Sequence, residues 1–472
     1  MFSVSRKALR SCLIFLFLTI VALVVFPDRA RSGDKPNIVI LFADDLGYGD
    51  IGPFGHPTIA TPHLDRMAEE GMKLTEFYAA APVCTPSRAG LLTGRLPVRS
   101  GMASDERRVL FPNSPGGLPD REVTIAEALK QQGYSTAAIG KWHLGHLPEY
   151  LPTEHGFDYY YGIPYSNDMK NKRSGGPALP LIRNKTIIEQ PVNQNTITRR
   201  YTREALNFID RSKDSPFFLY LPYTFPHVPL NASEAFRDTS ARGLYGDVVE
   251  EIDWSVGKIL SYLRNNGLAE NTLVVFTSDN GPWLIMNERG GSAGLLRGGK
   301  GSTWEGGMRE PTLAWWPGTI EAGTVSDAVG STMDLFTTAL HLSGAEIPKD
   351  RIIDGINLMP IFRNPRAEGR DHLFYYRGEQ IYAVRMGPWK VHFTTQAGYR
   401  DSPHEQEPPL LYHLRHDPRE KFNKAKKHPE IIQKARHLVK EHRNKLQPVE
   451  DQLDGVFEEG PRLPLEKALE DK

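Results

Sequence analysis

The chain has 472 residues, 40% of them hydrophobic and 10% aromatic, which is enough to bury a large core and to form more than one domain. Lysine plus arginine and aspartate plus glutamate both number 57, so no overall charge favours nucleic acid or an anionic membrane. We therefore expect a globular protein that recognises its ligand at a local site and has no nucleic-acid partner.

The N-terminal residues 1–33 are typical of an export signal. Arg6, Lys7 and Arg10 precede the apolar run 13–26, which is shorter than the about 20 residues of a membrane-spanning helix. This pattern predicts export to a periplasmic, secreted or lysosome-type compartment. The segment Phe26-Pro27-Asp28-Arg29 directly after the run is a poor small-residue cleavage site, so an uncleaved membrane anchor is the alternative.

Apolar runs and helical patterns alternate along residues 34–370. Four short apolar runs and a fifth weaker one predict buried parallel strands at 37–43, 135–139, 217–221, 272–277 and 313–316. Amphipathic helical patterns accompany them at 61–71, 122–132, 245–266 and 331–343. Strands that alternate with helices indicate an α/β fold with a large, mainly parallel sheet flanked by helices.

A smaller C-terminal domain is predicted over residues 371–447. An amphipathic helix is expected at 429–445, after four short antiparallel strands at 373–376, 382–386, 390–394 and 410–414. The basic face of this helix is expected to be solvated, with glycan binding as the alternative. Residues 448–472 are predicted to form a loose polar tail.

The cysteine content singles out one residue. Only two cysteines are present, and Cys12 lies in the export segment, so the mature chain keeps Cys84 alone and cannot form an intrachain disulfide. A single thiol in an exported protein requires an explanation. It is either a small buried hydrophobe or a residue with a chemical task.

Polar side chains follow four of the predicted strands, at the point where each strand ends. They are Asp44 and Asp45, Lys141 and His143, His227, and Asp279 and Asn280. Open α/β sheets bind their ligands at the carboxyl ends of the strands, so we expect these residues to converge. The carboxylates of Asp44, Asp45 and Asp279, with the amide of Asn280, offer only oxygen ligands, which predicts a calcium or magnesium site.

Four cationic or imidazole side chains are candidates for binding an anion: Lys141, His143, His227 and Lys300. Lys141 and His143 stand two residues apart, so extended backbone would direct both side chains to the same side. Lys300 stands in the glycine-rich segment RGGKGSTWEGG, where backbone can approach a ligand closely. Each histidine taken alone is more often a structural hydrogen-bonding residue.

The run CTPSRAGLLTGR begins at Cys84, and Pro86 and Arg88 complete the substrate pattern of the enzyme that oxidises cysteine to formylglycine. Together with GKWHLG and EGGMREPTLAWWPG, this run makes residues 35–422 resemble the type I sulfatases, in particular the arylsulfatase A and N-acetylgalactosamine-6-sulfatase branches. Pro86 also suits the first turn of a helix, which would place residue 84 near the positive end of the helix dipole.

The resemblance implies an alkaline-phosphatase-like fold and a role for each candidate residue. Cys84 would become formylglycine, whose hydrate attacks sulfur, and would join the four oxygen-donor residues around Ca²⁺, with Mg²⁺ as the alternative ion. Asp279 and His143 would act as the bases of the reaction. The remaining residues would orient the formylglycine, contact the sulfate or protonate the leaving group: Arg88, Lys141, His143, Ser166, His227 and Lys300.

The implied substrate is a sulfated small molecule or glycan, and the implied maturation partner is the formylglycine-generating enzyme. We expect the substrate to be recognised by three segments of the chain, residues 104–117, 169–195 and 283–296.

One alternative function is a phosphatase or phosphonate hydrolase of the same fold, although a two-zinc phosphatase would require histidine ligands where Asn280 stands. The other is a non-catalytic binder of sulfated glycans with Cys84 unmodified. The oligomeric state is left open.

Overall fold

The computed structural model describes residues 35–169, 177–447 and 449–458. The predicted export segment, residues 1–33, lies outside the described residues. Among the residues described, no helix is both long enough and apolar enough to cross a membrane.

Sixteen strands form within the described residues, in three sheets. Their bounds are β1 Asn37–Ala43, β2 Met72–Leu74, β3 Phe77–Tyr78, β4 Ser135–Lys141, β5 Tyr159–Ile163, β6 Leu181–Arg183, β7 Thr186–Glu189, β8 Phe217–Pro222, β9 Thr272–Ser278, β10 Thr312–Trp315, β11 Thr324–Ser326, β12 Gly330–Ser331, β13 His372–Arg377, β14 Gln380–Met386, β15 Trp389–Thr395 and β16 His404–His413. The α-helices of the same residues are α1 Pro62–Glu70, α2 Cys84–Thr93, α3 Pro97–Ser100, α4 Ile125–Lys130, α5 Ile197–Ser212, α6 Leu244–Asn265, α7 Glu305–Met308, α8 Asp334–Ser343, α9 Met359–Arg363 and α10 Pro429–Arg443.

The large sheet has ten strands in the order β11-β2-β10-β9-β1-β8-β4-β5-β6-β7. Its centre is parallel from β9 to β5, as predicted, and every residue of β1 is buried. The fifth predicted strand exists as β10 but pairs antiparallel with β9, so its predicted parallel direction is wrong. The physical reason is the connection, because no helix that crosses back over the sheet separates β9 from β10.

Alternate residues of β1 face two separate hydrophobic cores, as the two-residue period of a strand requires. Val39 and Leu41 pack with residues of α1, α5 and α6 on one face. Ile38 and Ile40 pack with residues of α2, α4 and α8 on the other. Burial of each such side chain contributes about 1.5–3 kcal/mol, so helices on both faces hold the central strands and their carboxyl ends in place.

Helix α5 was absent from the sequence-based prediction. Ile197, Tyr201, Ala205 and Phe208 recur at helical spacing and are all buried against the sheet, so the pattern was available in the sequence. Strands β5, β6 and β7, which extend the sheet on the same side, were also missed because they are short and lie toward its edge.

The C-terminal region has the predicted architecture. Strands β13 to β16 form an antiparallel sheet in sequence order, and Ile432, Ala435 and Val439 of α10 pack on it. The prediction of a loose tail is wrong for residues 449–458. Leu453 is fully buried, and Gln452 N–H donates to the Gly101 carbonyl at 3.0 Å, because the segment fills a groove beside the loop after α3.

Candidate active site

Two pairs of polar residues meet at the carboxyl ends of β1 and β9. The register that pairs Ala43 with Ser278 places Asp44 and Asp45 opposite Asp279 and Asn280. The backbone closes this junction, since Asp279 N–H donates to the Ala43 carbonyl at 3.1 Å and Asp45 N–H donates to Asp279 Oδ1 at 3.1 Å. Asp45 adopts a φ of 66°, in the left-handed region that few non-glycine residues adopt.

Three carboxylates and Cys84 share one buried pocket. Asp44, Asp45, Asp279 and Cys84 each offer a ligand atom, and these atoms lie within 4.8 Å of one another. Asn280 Nδ2 donates to Asp45 Oδ1 at 2.7 Å, whereas Asn280 Oδ1 is buried without a partner among the described residues. A buried amide oxygen without a donor, beside three carboxylates, fits a hard divalent cation.

Cys84 is the first residue of α2, and Val83 before it is extended. Its Sγ lies 3.5 Å from Asp44 Oδ1 and accepts a contact from Lys300 Nζ at 3.3 Å. Burial raises the pKa of the Cys84 thiol far above its ordinary value, so the unmodified side chain is a neutral thiol and not a reactive thiolate. The predicted position of residue 84 at a helix N-terminus is confirmed.

Arg88, one turn further along α2, contacts residues at the carboxyl ends of three strands. Its Nε and Nη2 donate to Asp279 Oδ2 at 3.0 and 2.7 Å, and its Nη1 donates to the Lys141 carbonyl at 2.8 Å. The guanidinium is fully buried, and Nη2 also lies 3.4 Å from Asp44 Oδ1. Such a fixed, bidentate cation holds residue 84 and the carboxylates in one geometry.

Two lysines place further positive charge in the pocket. Lys141 Nζ lies 2.6 Å from Asp44 Oδ2 and donates to Ser166 Oγ at 3.3 Å, and Lys300 Nζ lies 2.7 Å from Asp45 Oδ1. Burial alone would raise the pKa of Asp44, but Lys141, Arg88 and Lys300 lower it below its ordinary value. Both ammonium groups border the space beside Cys84, where an anionic ester could bind.

His227 presents one ring nitrogen to the pocket. Its Nδ1 lies 2.6 Å from the Val228 carbonyl and 3.1 Å from Asn167 Oδ1, while its Nε2 lies 3.4 Å from Ser166 Oγ and 3.7 Å from Asp45 Oδ2. Burial and the positive charges of Lys300 and Lys141 lower the pKa of His227 well below 6.5. Asn167 was missed by sequence reasoning, although it stands next to Ser166 in the same segment.

His143 lies at the edge of the site, in a conformation different from the one predicted. Its φ is 61°, so the extended backbone predicted from Lys141 to His143 is wrong. Strand β4 ends at Lys141, and the chain turns there to pair His143 N–H with the Pro164 carbonyl. His143 Nε2 lies 3.0 Å from the Leu110 carbonyl, and its buried Nδ1 has no partner among the described residues.

Two aromatic residues stand at the mouth of the pocket. The Trp283 ring lies 5.3 Å from the His227 ring and 5.9 Å from the Tyr399 ring, and Lys300 Nζ lies 4.7 Å from the Trp283 centroid. Trp283 begins one of the predicted substrate-reading segments. Tyr399 was not predicted, because it comes from the loop between β15 and β16, about a hundred residues away in sequence.

The site therefore combines an acidic pocket at the carboxyl ends of parallel strands with lysines and imidazoles around residue 84. The chain belongs to the sulfatase family. The family model described as "Sulfatase" matches residues 36–345, and a second, described as "C-terminal region of aryl-sulfatase", matches residues 368–463. The protein is accordingly a hydrolase of sulfate esters.

Relatives and solved structures agree with this assignment. The chain is 43% identical to the N-acetylgalactosamine-6-sulfatase of Canis lupus familiaris, with 90% of this chain and 89% of that protein covered. It is 41% identical to human arylsulfatase A, with 90% of each covered. The PsFucS1 sulfatase of Pseudoalteromonas sp. superposes with a TM-score of 0.82 at 30% identity, over 89% of this chain and 92% of that one.

Proposed function

We propose that this sulfatase hydrolyses its substrate through formylglycine at position 84, produced from Cys84 by a formylglycine-generating enzyme. The observation that carries the proposal is the setting of Cys84, whose Sγ lies 3.5 Å from Asp44 and 3.3 Å from Lys300 at the start of α2. A charged, buried pocket around a thiol that burial keeps neutral suits a residue that becomes a nucleophile by modification.

We assign the divalent cation to Asp44, Asp45, Asp279 and Asn280, with residue 84 beside them. Ca²⁺ is the favoured ion because of the family, and Mg²⁺ is the alternative. When bound, the ion would stabilise negative charge on the attacking oxygen and on the sulfuryl oxygens. The unpartnered Asn280 Oδ1 supports the assignment.

The first half of the reaction transfers the sulfuryl group to residue 84. One hydroxyl of the hydrated aldehyde gives its proton to Asp279 and attacks sulfur, and the bond from sulfur to the ester oxygen breaks. Lys141 and Lys300 neutralise the sulfuryl oxygens, and Ser166 contacts one of them. The departing alcohol takes a proton from Lys300, or from His227 once the bound anion has raised the pKa of its ring enough to protonate Nε2.

The second half releases sulfate without attack by water on the sulfate ester. His143 removes the proton from the remaining hydroxyl of residue 84, the carbonyl re-forms, and the bond from carbon to the sulfate oxygen breaks. Arg88 holds Asp279 and the strand ends throughout, through its two bonds to Asp279 Oδ2.

A sulfated carbohydrate is the substrate class that we favour, because a relative at 43% identity is an N-acetylgalactosamine-6-sulfatase. Small aryl sulfates should also be hydrolysed, as the name of the arylsulfatase A relative suggests. The basic and apolar segments of residues 1–33 support export of the protein.

Mass spectrometry of the tryptic peptide from Leu74 to Arg88 tests the proposal, on protein made in a host that has the modifying enzyme. We expect an aldehyde at residue 84, and turnover of 4-nitrophenyl sulfate far above that of 4-nitrophenyl phosphate. A free thiol in an active enzyme would contradict the proposal. A free thiol with no turnover would favour the non-catalytic binder, and faster phosphate hydrolysis would favour the phosphatase.

A further inference from the structure

Two arginines without acidic partners stand beyond the aromatic residues at the mouth of the pocket. Arg108 lies with its guanidinium carbon 4.4 Å from the Tyr399 ring centroid and donates to the Tyr399 carbonyl. Arg377, at the end of β13, donates from Nε to the Gly301 carbonyl at 2.8 Å, and its Nη2 is buried without a partner. Among the described residues, no carboxylate lies within 4.0 Å of either guanidinium.

These arginines adjoin the site through Tyr399. Gly301 directly follows Lys300, and a Cβ placed on Gly301 would meet Tyr399 Cδ2 at 2.8 Å, so the ring lies against this backbone. Tyr399 also faces Trp283, whose buried Nε1 has no partner among the described residues. Successive contacts therefore link Lys300 to Trp283, Trp283 to Tyr399 and Tyr399 to Arg108.

Two neighbouring cations without an ion-paired carboxylate are unfavourable in a half-buried setting, and Asp105, which lines the same hollow, accepts instead from Glu379 N–H and Gln380 Nε2. Arg108, Arg377, Trp283 and Tyr399 are each only partly exposed, so solvent does not fully compensate the charge. Elsewhere in the pocket, each buried cation is paired with an aspartate, as for Arg88 with Asp279. The unpaired donors, Arg377 Nη2 and Trp283 Nε1, are consistent with a ligand that supplies the missing acceptor.

We propose that the substrate is a glycan that carries a second anionic group next to the scissile sulfate, and that Arg108 and Arg377 bind this group. The sugar ring packs on Trp283 and Tyr399, and the second anion is a carboxylate or a further sulfate, both of which accept paired N–H bonds from guanidinium. This inference rests on the proposed function, since it extends the binding surface of the same site.

The test compares wild type with Arg108→Gln on four substrates. These are 4-nitrophenyl sulfate, a monosulfated hexosamine, the same sugar linked to a uronic acid, and the same sugar with a second sulfate. We expect the wild type to prefer the dianionic sugars. Arg108→Gln should lower kcat/KM on them by about 10- to 100-fold, mainly through KM, because charge-assisted hydrogen bonds are lost. The dianionic sugar with the larger loss identifies the anion as carboxylate or sulfate.

Arg107→Gln is the matched control: Arg107 lies in the predicted segment 104–117, but its guanidinium donates to the Gly455 carbonyl at 3.0 Å and to Asn113 Oδ1 at 2.9 Å and has no contact with Tyr399 among those of the described residues. It should leave all four kcat/KM values unchanged, and Arg108→Lys should recover part of the loss. Unchanged glycan kinetics in Arg108→Gln, or an equal loss on the aryl sulfate, would overturn the inference while leaving the proposed function intact. If wild type hydrolyses no sulfate ester, the proposed function fails and the inference fails with it.

Discussion

Two buried clusters in this protein contain the same kinds of charged residue but differ in how completely they are paired. In the junction cluster, beneath the C-terminal sheet, Glu305 accepts from Tyr78 at 2.7 Å, from Tyr375 at 2.9 Å and from Lys390 at 2.9 Å. Burial opposes the charge of Glu305, yet Lys390 and neighbouring arginines lower its pKa to about 2.

The cluster to which we assign the chemistry, called the catalytic cluster, consists of Asp44, Asp45, Cys84, Asp279 and Asn280, and at Asp45 it shows the opposite balance. Burial raises the pKa of Asp45 to about 7, and although Lys300 opposes this shift, the charges of Asp44 and Asp279 add to it. Asn280 Oδ1 and His143 Nδ1 remain without partners. The junction cluster thus satisfies Glu305 with internal partners, whereas the cluster to which we assign a cation and a sulfate ester keeps unpartnered acceptors and mutual repulsion between its carboxylates, which bound ligands would relieve.

The largest expected effect is on the catalytic cluster. Replacement Cys84→Ala removes the precursor of the nucleophile, so turnover of 4-nitrophenyl sulfate should fall by on the order of 10⁴-fold or more. The melting temperature should change little, because Asp44 and Lys300, the partners of Cys84 Sγ, keep their ion pairs with Lys141 and Asp45. Appreciable activity in this variant, measured on protein free of wild type, would show that residue 84 is not the nucleophile.

A smaller effect is expected for the candidate proton donor. His227→Ala should slow hydrolysis of a sugar sulfate by about 10²- to 10⁴-fold, because the alkoxide leaving group requires a proton. The loss should be clearly smaller on 4-nitrophenyl sulfate, whose phenolate leaves more readily. Steady-state kcat/KM on both substrates measures the difference, and equal losses would assign the proton to Lys300.

The junction cluster should respond in stability and not in chemistry. Lys390→Met leaves Glu305 and Glu420 buried without their shared cation, so the free energy of unfolding should fall by about 3–5 kcal/mol. Turnover per folded molecule should persist, which denaturant unfolding and active-site titration can establish together. A stable but inactive variant would place Lys390 in the chemistry and remove the distinction between the clusters.

The smallest expected effect is a pH dependence of stability. The pKa of Glu305 is about 2 in the folded protein against an ordinary 4.5, so its contribution is fully present above pH 4.5 and is lost as pH falls toward 2. One such group adds at most about 1.4 kcal/mol per pH unit to the slope of the free energy of unfolding. In Glu305→Gln, this part of the slope should disappear; an unchanged slope would argue against the low pKa.

The sequence was most informative where structure is local. The central strands β1, β4, β8 and β9 were predicted within one or two residues, because each is an apolar run buried on both faces. The convergence of their polar ends followed from the rule for parallel sheets. The antiparallel direction of β10 and the left-handed backbone of His143 depend on how distant segments meet, and no local pattern encodes them.

The residues of the site also differ in whether a local sequence pattern could predict them. The motif around Cys84 and the pairs after β1 and β9 were visible as short patterns, and the structure brings their side chains together. Tyr399 and Arg377 reach the pocket from the C-terminal sheet, and only the packing of that sheet against Gly301 places them there. Arg108 and Trp283, by contrast, lie in two of the segments predicted to recognise the substrate, so within the proposed substrate surface only Tyr399 and Arg377 escaped prediction.

The most direct test of the mechanism is single-turnover analysis of Cys84→Ser with 4-nitrophenyl sulfate. Serine offers one hydroxyl, so it can accept the sulfuryl group but has no second hydroxyl with which to expel it. We predict release of one equivalent of nitrophenol per enzyme, followed by arrest, with a sulfate ester on the Leu74–Arg88 peptide. Rapid continued turnover, with no sulfate on residue 84, would contradict the account.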